Sequence, residues 1–373
     1  MRAVIVASDM LTPYGHGTDA SWEGINGRRT AVSTVTRFST AAFQSTYGGI
    51  VPGLTYHGAE TLVMQMLRRL FDIRSTAIPV DARLILATTK GEIDLLEKSI
   101  LQNAGDGAES TPDHLLEKVR ELTGVRDRGM VVSAACTSSA AAAAQAAAMI
   151  RNDHADCVLV VACDAVTEFI FSGFSSLRAL DEQPARPFDR HRTGLNVGEA
   201  AAYVLLMSEE RAIREDRPVL GMLAGWGMSD DANHMTGPSR ESEGLILAIR
   251  KSLDSAGIGI DDIGLIAAHG TGTVYNDQME MRAFRTVFLN RERPVYSIKG
   301  GIGHTMGAAG LVEMIIALRA LREGIVPPTV NLQEPDDDAR GWASGEQQRR
   351  GEGALALVTN AGFSGVNTAL VLS

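Results

Sequence analysis

Two series of short apolar runs, five in each and in matching order, constrain this chain more than any other feature. In the first half they are Ala3–Ala7, Leu84–Ala87, Met130–Ser133, Val158–Ala162 and Ala200–Met207. In the second they are Leu220–Gly225, Leu265–Ala268, Val295–Ile298, Leu355–Thr359 and Thr368–Leu372. Runs of this length and make-up read as buried strands. In each series the third strand leads through a loop into a helix of small residues, Thr137–Ile150 in one and Gly307–Leu321 in the other. Strands alternating with helical stretches predict α/β layers, and the matching order predicts two duplicated halves, residues 1–210 and 211–373.

The reactive residue types fall at the ends of these strands. Cys136 lies between the third strand and its helix, where unpaired backbone N–H groups and about half a positive charge favour a thiolate and any oxyanion beside it. A buried structural cysteine is the plain alternative, because cysteines are among the most buried residue types. Two histidines weigh against it. His269 in Ala268-His-Gly-Thr-Gly-Thr273 and His304 in Lys299-Gly-Gly-Ile-Gly-His304 each follow a strand and stand among glycines, which let a partner approach the main chain closely. A fourth loop, Asn360-Ala-Gly-Phe-Ser-Gly365, separates the last two strands and sets Phe363 between glycine and serine. Cys136 and His304 occupy equivalent corners of the two halves. A zinc site from Cys136, His269 and His304 lacks the tight paired spacing of structural zinc motifs. A cysteine protease would leave two glycine-rich histidine loops unexplained. Cys157 and Cys163 border or occupy a strand and read as core.

In this order and at this spacing the chain resembles the β-ketoacyl synthases of the thiolase-like superfamily. The likeness runs from Leu11-Thr-Pro-Tyr-Gly15 through Ala135-Cys-Thr-Ser-Ser139, Gly173-Phe-Ser-Ser-Leu-Arg-Ala-Leu180, Arg186-Pro-Phe-Asp189, Gly198-Glu199 and Asp231-Ala-Asn-His-Met-Thr236. It continues in His269-Gly-Thr-Gly-Thr273 with Asn276-Asp277, Lys299 to His304, Gly307-Ala-Ala-Gly310 with Glu313, and Gly362-Phe-Ser-Gly365. The resemblance implies a five-layered α-β-α-β-α fold, a homodimer or a heterodimer with a related ketosynthase, and a Cys-His-His centre. It implies that Cys136 carries an acyl group, that His269 and His304 serve malonyl decarboxylation, and that the backbone N–H groups of Cys136 and Phe363 form the oxyanion hole. Lys299 would tune the histidines with Glu313. Thr271 and Thr273 would bond a phosphopantetheine arm. Asp189, Glu199, Asp277 and Glu313 read as hydrogen-bonded loop supports, with acids in the chemistry as the alternative; Phe363 reads as a gate at the acyl pocket, with core as the alternative, and His234 as structural or at the site entrance. The implied reaction is decarboxylative condensation of an acyl thioester with malonyl-[acyl-carrier-protein] in fatty-acid or polyketide biosynthesis, including aryl polyene pathways. No bound cofactor is expected, since the substrate rides on the phosphopantetheine of acyl carrier protein.

Relatives within that superfamily divide by their triads. A degradative thiolase would carry a second catalytic cysteine near its C-terminus, and Cys157 and Cys163 precede that region. Chain-starting synthases would show asparagine where this chain has His304. Two further readings are a non-catalytic chain-length-factor-like partner, which usually lacks the cysteine or a histidine, and an enzyme that only decarboxylates. The chain is shorter than usual before Met130, where Ser99–Glu109 reads as a helix end running into a loop and Pro112–Leu122 as a charged helix. Gly-Phe-Ser-Gly replaces the commoner Gly-Phe-Gly-Gly.

A net charge of −10 argues against nucleic acid as partner. Because acyl carrier proteins are acidic, docking calls for a local basic patch, with Arg68, Arg69, Arg190 and Arg192 as candidates. Ala3–Ala7 is too short for a signal peptide, and no apolar stretch reaches the ~20 residues needed to span a membrane. Three cysteines suit a reducing cytoplasm.

Overall fold

In the computed structural model, residues 1–72, 77–102 and 107–373 are described. Ten principal strands form one continuous twisted sheet: β1 (Ala3–Thr12), β2 (Arg83–Ala87), β3 (Met130–Val132), β4 (Cys157–Asp164), β5 (Ala200–Ser208), β6 (Gly221–Asp230), β7 (Ile263–Ala267), β8 (Val295–Tyr296), β9 (Leu355–Ala361) and β10 (Val366–Leu372). Their order is β3-β2-β4-β5-β1-β6-β10-β9-β7-β8. Read outward from the centre, β1-β5-β4-β2-β3 and β6-β10-β9-β7-β8 repeat one pattern. In each, the innermost strand and the next two pair antiparallel and the last two pairings are parallel. The halves join where β1 and β6 pair at Val4↔Met222 and Ile5↔Gly221. Several strands depart from the lengths read in sequence. β1 and β6 run on because β5 and β10 continue to pair with them, and β8 stops at Tyr296 where a short helix begins at Lys299.

Period-2 burial sorts the strands into layers. Along β5, Ala200, Ala202, Val204 and Leu206 face the central core, whereas Ala201, Tyr203, Leu205 and Met207 face an outer one. In the other half, Leu370 and Leu372 of β10 join the central core, and Ala369 and Val371 a second outer core. Between the two half-sheets lie α3 (Ser138–Arg151) and α7 (Ala309–Glu323). Both faces of each meet apolar surface, so α3 is mostly alanine. The helices come so close that a side chain at Gly310 would start 2.6 Å from the Ala140 backbone nitrogen. Outside one half-sheet pack α1 (Leu62–Asp72) and α2 (Pro112–Thr123), and outside the other α5 (Glu243–Ala256) and α6 (Val274–Val287). These are the five α-β-α-β-α layers expected.

Local signals fix several ends. Thr111 caps α2 by accepting from His114 N, proline follows it, and Gly124 closes the helix at φ 75°. A helix over Ile93–Gln102 and a turn over Gly107–Ser110 account for parts of Ser99–Glu109, while residues 103–106 lie outside the described residues. Helix α4 (Glu168–Ser176) follows β4. Among the described residues no helix is long and apolar enough to cross a membrane.

Candidate active site

Parallel strands gather their carboxyl ends on one side of a sheet, which is where α/β folds place their crevices. Cys136 follows β3 in a tight turn. Ala135 sits at φ 48°, Thr137 N donates to Ala134 O, and the Ser138 hydroxyl accepts from Ala134 N. Cys136 is 6 % exposed, and its sulfur lies 2.9 Å from His304 Nε2 and receives the Phe363 backbone N–H. The sequence predicts a thiolate here, and the structure corrects that expectation. Burial pushes the Cys136 thiol up to about 11, although the Phe363 N–H and the Lys299 charge pull it down. Desolvation outweighs the partial charge of a helix start. The resting group is a thiol with its proton beside His304.

His269 stands just past β7 and is held from several sides. Its backbone N–H and that of Gly270 both donate to Glu280 of α6, at 2.8 and 2.6 Å. Burial pushes the Glu280 carboxyl up to about 7, against donations from Gly270, His269, Asn276 and Thr359. On the ring, Lys299 Nζ lies 3.3 Å and Asn360 Nδ2 3.4 Å from Nδ1. Both approaching groups are donors, since Lys299 is ion-paired with Glu313 and the Asn360 amide also donates to Glu313 at 2.5 Å. Nδ1 is therefore the acceptor, and Nε2 carries the proton as a hydrogen-bond donor. Burial, Lys299 and His304 hold His269 well below the ordinary histidine range, so it stays neutral.

His304 is neutral for the same first two reasons. Its backbone is clamped, its N–H donating to Asn196 O and its carbonyl accepting from Gly198 N. Its Nδ1 has no hydrogen-bond partner among the described residues. The His269 and His304 rings cross at 86° with centroids 5.1 Å apart, and Phe174 of α4 meets His304 edge-on. Cys136, His269 and His304 share a cavity of about 420 Å³ with Phe174, Phe363, His234, Thr271 and Thr273. The two threonine hydroxyls are 2.9 Å apart.

Most other sequence-predicted positions fall near this centre. Lys299 and Glu313 are a buried pair behind His269. Asp277 accepts from Phe188 N and Gly272 N, Glu199 from Val51 N and Val166 N, and Asp189 from Gln333 N and Glu334 N, so each buried acid anchors loops. Cys157 and Cys163 are core residues of β4. The basic patch needs correction. Arg192 is buried and spends its guanidinium on Asp336 and Asp277, so it offers no charge to a partner. Arg190 is exposed beside Glu334 and Asp337. Arg68 pairs with Glu60, and Arg69 donates to the carbonyls of Pro52 and Gly53 on the outer face of α1. Arg178, which sequence reasoning passed over, lines the cavity and has no side-chain partner among the described residues. Glu280, Asn360 and Asp164 were missed as well. Glu280 is four residues beyond Asn276 on one helix, a spacing that shares a face, and Asn360 opens a loop already singled out.

Comparison with known proteins gives a consistent result. Residues 119–212 match the beta-ketoacyl synthase N-terminal domain, and residues 220–333 the beta-ketoacyl synthase C-terminal domain. The chain is 27% identical to a 3-oxoacyl-[acyl-carrier-protein] synthase 2 of Coxiella burnetii, covering 100% of this chain and 98% of that protein. It is 30% identical to the tetracenomycin polyketide synthase ketoacyl synthase alpha subunit of Streptomyces glaucescens, with 100% and 97% covered. Among solved structures, the ishigamide ketosynthase/chain length factor superposes with a TM-score of 0.87 at 26% identity, with 100% and 98% covered. A beta-ketoacyl synthase from Burkholderia phymatum shares the fold at a TM-score of 0.88 and 23% identity, with 100% and 98% covered.

Proposed function

The chain belongs to the β-ketoacyl synthase family, and from that premise we propose that it condenses an acyl thioester with malonyl-[acyl-carrier-protein], releasing carbon dioxide and 3-oxoacyl-[acyl-carrier-protein]. The observation that carries this reading is the convergence of the Cys136 sulfur, His304 Nε2 and a neutral, Nε2-protonated His269 in one cavity. Family membership supplies the reaction class, and the residue roles are our own assignment. The first half, residues 1–210, supplies the nucleophile, and the second, 211–373, both histidines.

In the first step Cys136 Sγ attacks the acyl carbonyl carbon. Its proton passes by way of His304 Nε2 to the departing pantetheine sulfur, and an acyl-cysteine remains. The oxyanion formed during attack faces the backbone N–H groups of Cys136 and Phe363, each such donor being worth ~3–4 kcal/mol of barrier. The malonyl thioester then breaks its bond to the carboxylate carbon, and the electron pair moves into an enolate. His269 Nε2–H donates to that enolate without a metal, and His304 Nε2 becomes a second donor on taking up a proton from solvent. The enolate carbon closes on the acyl carbon and expels the Cys136 sulfur as a thiolate, which takes the solvent-derived proton from His304 Nε2. Lys299 keeps His269 Nδ1 an acceptor and so fixes which nitrogen donates. Thr271 and Thr273 line the path that the pantetheine arm would take.

The substrates arrive on acyl carrier protein, in fatty-acid or polyketide biosynthesis, and a cytoplasmic setting suits them. A dimer with itself or with a related ketosynthase is the assembly we favour, and the ketosynthase/chain length factor neighbour supports the second form. Retention of Cys136 and both histidines favours a catalytic chain over a chain-length-factor-like partner. The test is intact mass after incubation with an acyl carrier protein thioester. The protein should gain one acyl group on Cys136, and an adduct on Cys157 or Cys163, or one that persists in Cys136→Ala, would overturn the assignment.

A further inference from the structure

We propose that Asp164 is a positioning residue, a single buried carboxylate that locks the loop carrying His304 onto the sheet end that carries Cys136. It closes β4 and is 2 % exposed. Oδ1 accepts from the Thr88 hydroxyl at 2.9 Å and from Thr89 N at 3.0 Å, and Oδ2 accepts from Gly307 N at 2.7 Å. Thr88 and Thr89 follow β2, the neighbour of the strand that leads to Cys136. Gly307 lies three residues beyond His304 in the other half of the molecule. One side chain therefore ties the two catalytic corners together.

The His304 ring has need of such a tie. Its Nδ1 bonds to nothing among the described residues, so beyond the Nε2 contact with the Cys136 sulfur the ring is aimed by its backbone and by packing. That backbone includes Met306 at φ 52°, a left-handed conformation that a non-glycine residue holds only when its surroundings over-determine it. Asp164 grips the next residue. Three donors on one carboxylate mark it as ionised, although burial pushes it upward. Its charge also acts on the Cys136 thiol in a definite direction. Asp164 raises the thiol pKa, Lys299 and Lys90 lower it, and the neighbouring histidines are neutral.

This inference rests on the reading of Cys136 as nucleophile, and its test separates the two. Two variants are compared. Asp164→Asn removes the charge and one acceptor; Gly307→Ala keeps the charge but starts a side chain 2.6 Å from Asp164 Oδ2, displacing the loop. Both should lower kcat for condensation about 10- to 100-fold, the scale of a misplaced group, with KM for the acyl thioester within about twofold. The pH profile of Cys136 alkylation by iodoacetamide should move to lower pH in Asp164→Asn and stay unmoved in Gly307→Ala. Unchanged kcat in either variant, or an Asp164→Asn profile that stays put while melting temperature and kcat fall together, overturns the proposal. Should Asp164→Asn fail to fold, Gly307→Ala alone decides, because unchanged kcat there is fatal to it. Failure of wild-type Cys136 to accept an acyl group would sink the functional reading, while the alkylation profiles would still report on Asp164.

Discussion

The corner after β3 and the corner after β8 hold the same place in two half-sheets of one strand order, yet they are built differently. The first is minimal. Residues 133–137 carry the chain from strand to α3 and leave one thiol at the turn. The second takes residues 297–308, folding a short helix from Lys299, then His304, then a tight turn over Met306–Ala308 before α7 begins. The added length holds the lysine and the histidine. On the proposed mechanism a duplicated scaffold divides the work, with one corner presenting a nucleophile and the other the charged and proton-bearing groups that act on it.

That division can be broken first at the cysteine. Cys136→Ala should abolish condensation altogether, measured as 3-oxoacyl product, because no other thiol reaches the cavity. Residual condensation would place the nucleophile elsewhere. Next in size are the donors. His269→Ala and His304→Ala should each cut malonyl decarboxylation about 10²–10³-fold, the scale for losing one donor to developing charge, as read by carbon dioxide release.

Lys299 tests the second corner's internal construction. Lys299→Met should cost about 3–5 kcal/mol of stability by stranding the buried Glu313 charge. Burial already raises the Glu313 pKa and Lys299 lowers it, so removing the lysine raises it further above its unfolded value of 4.5. A group with a raised folded pKa contributes stability below its unfolded pKa and loses it as pH rises. The melting-temperature deficit of Lys299→Met should therefore be smaller at pH 5 than at pH 8. Equal deficits would show that Glu313 is not the group left unpaired.

The smallest effects belong to the rim. Arg178→Glu should weaken carrier-protein binding roughly two- to fivefold, the scale of an exposed charge pair, while small thioester mimics remain usable. Arg190→Glu and Arg68→Glu with Arg69→Glu should do less, because acids or carbonyls already hold those arginines. Arg192→Glu should instead lower the melting temperature, since it places a third acid beside Asp277 and Asp336. Equal loss with carrier and mimic substrates would assign Arg178 to structure.

Much of this was legible in the sequence. Apolar runs with turn-forming ends fixed the strand series, a small-residue turn between strand and helix marked Cys136, and glycine-rich loops after strands marked His269, His304 and Phe363. What escaped depends on separation along the chain or on burial. Glu280, Asn360 and Asp164 are ordinary polar residues until the fold sets them against His269, Glu313 and Gly307. Arg192 sits beside an exposed arginine in sequence, yet its partner Asp336 lies 144 residues away. The state of Cys136 escaped because desolvation is a property of the assembled core, whereas a helix start can be read from the chain.

The most direct measurement follows both half-reactions in the same samples, with labelled malonyl carrier protein for carbon dioxide release and intact mass for acylation. Cys136→Ala should gain no acyl group yet still release carbon dioxide, because His269, His304 and the Phe363 N–H remain. His269→Ala should still be acylated while its carbon dioxide release collapses. Normal decarboxylation in both histidine variants would contradict the division of labour between the two corners, and with it the Cys-His-His assignment.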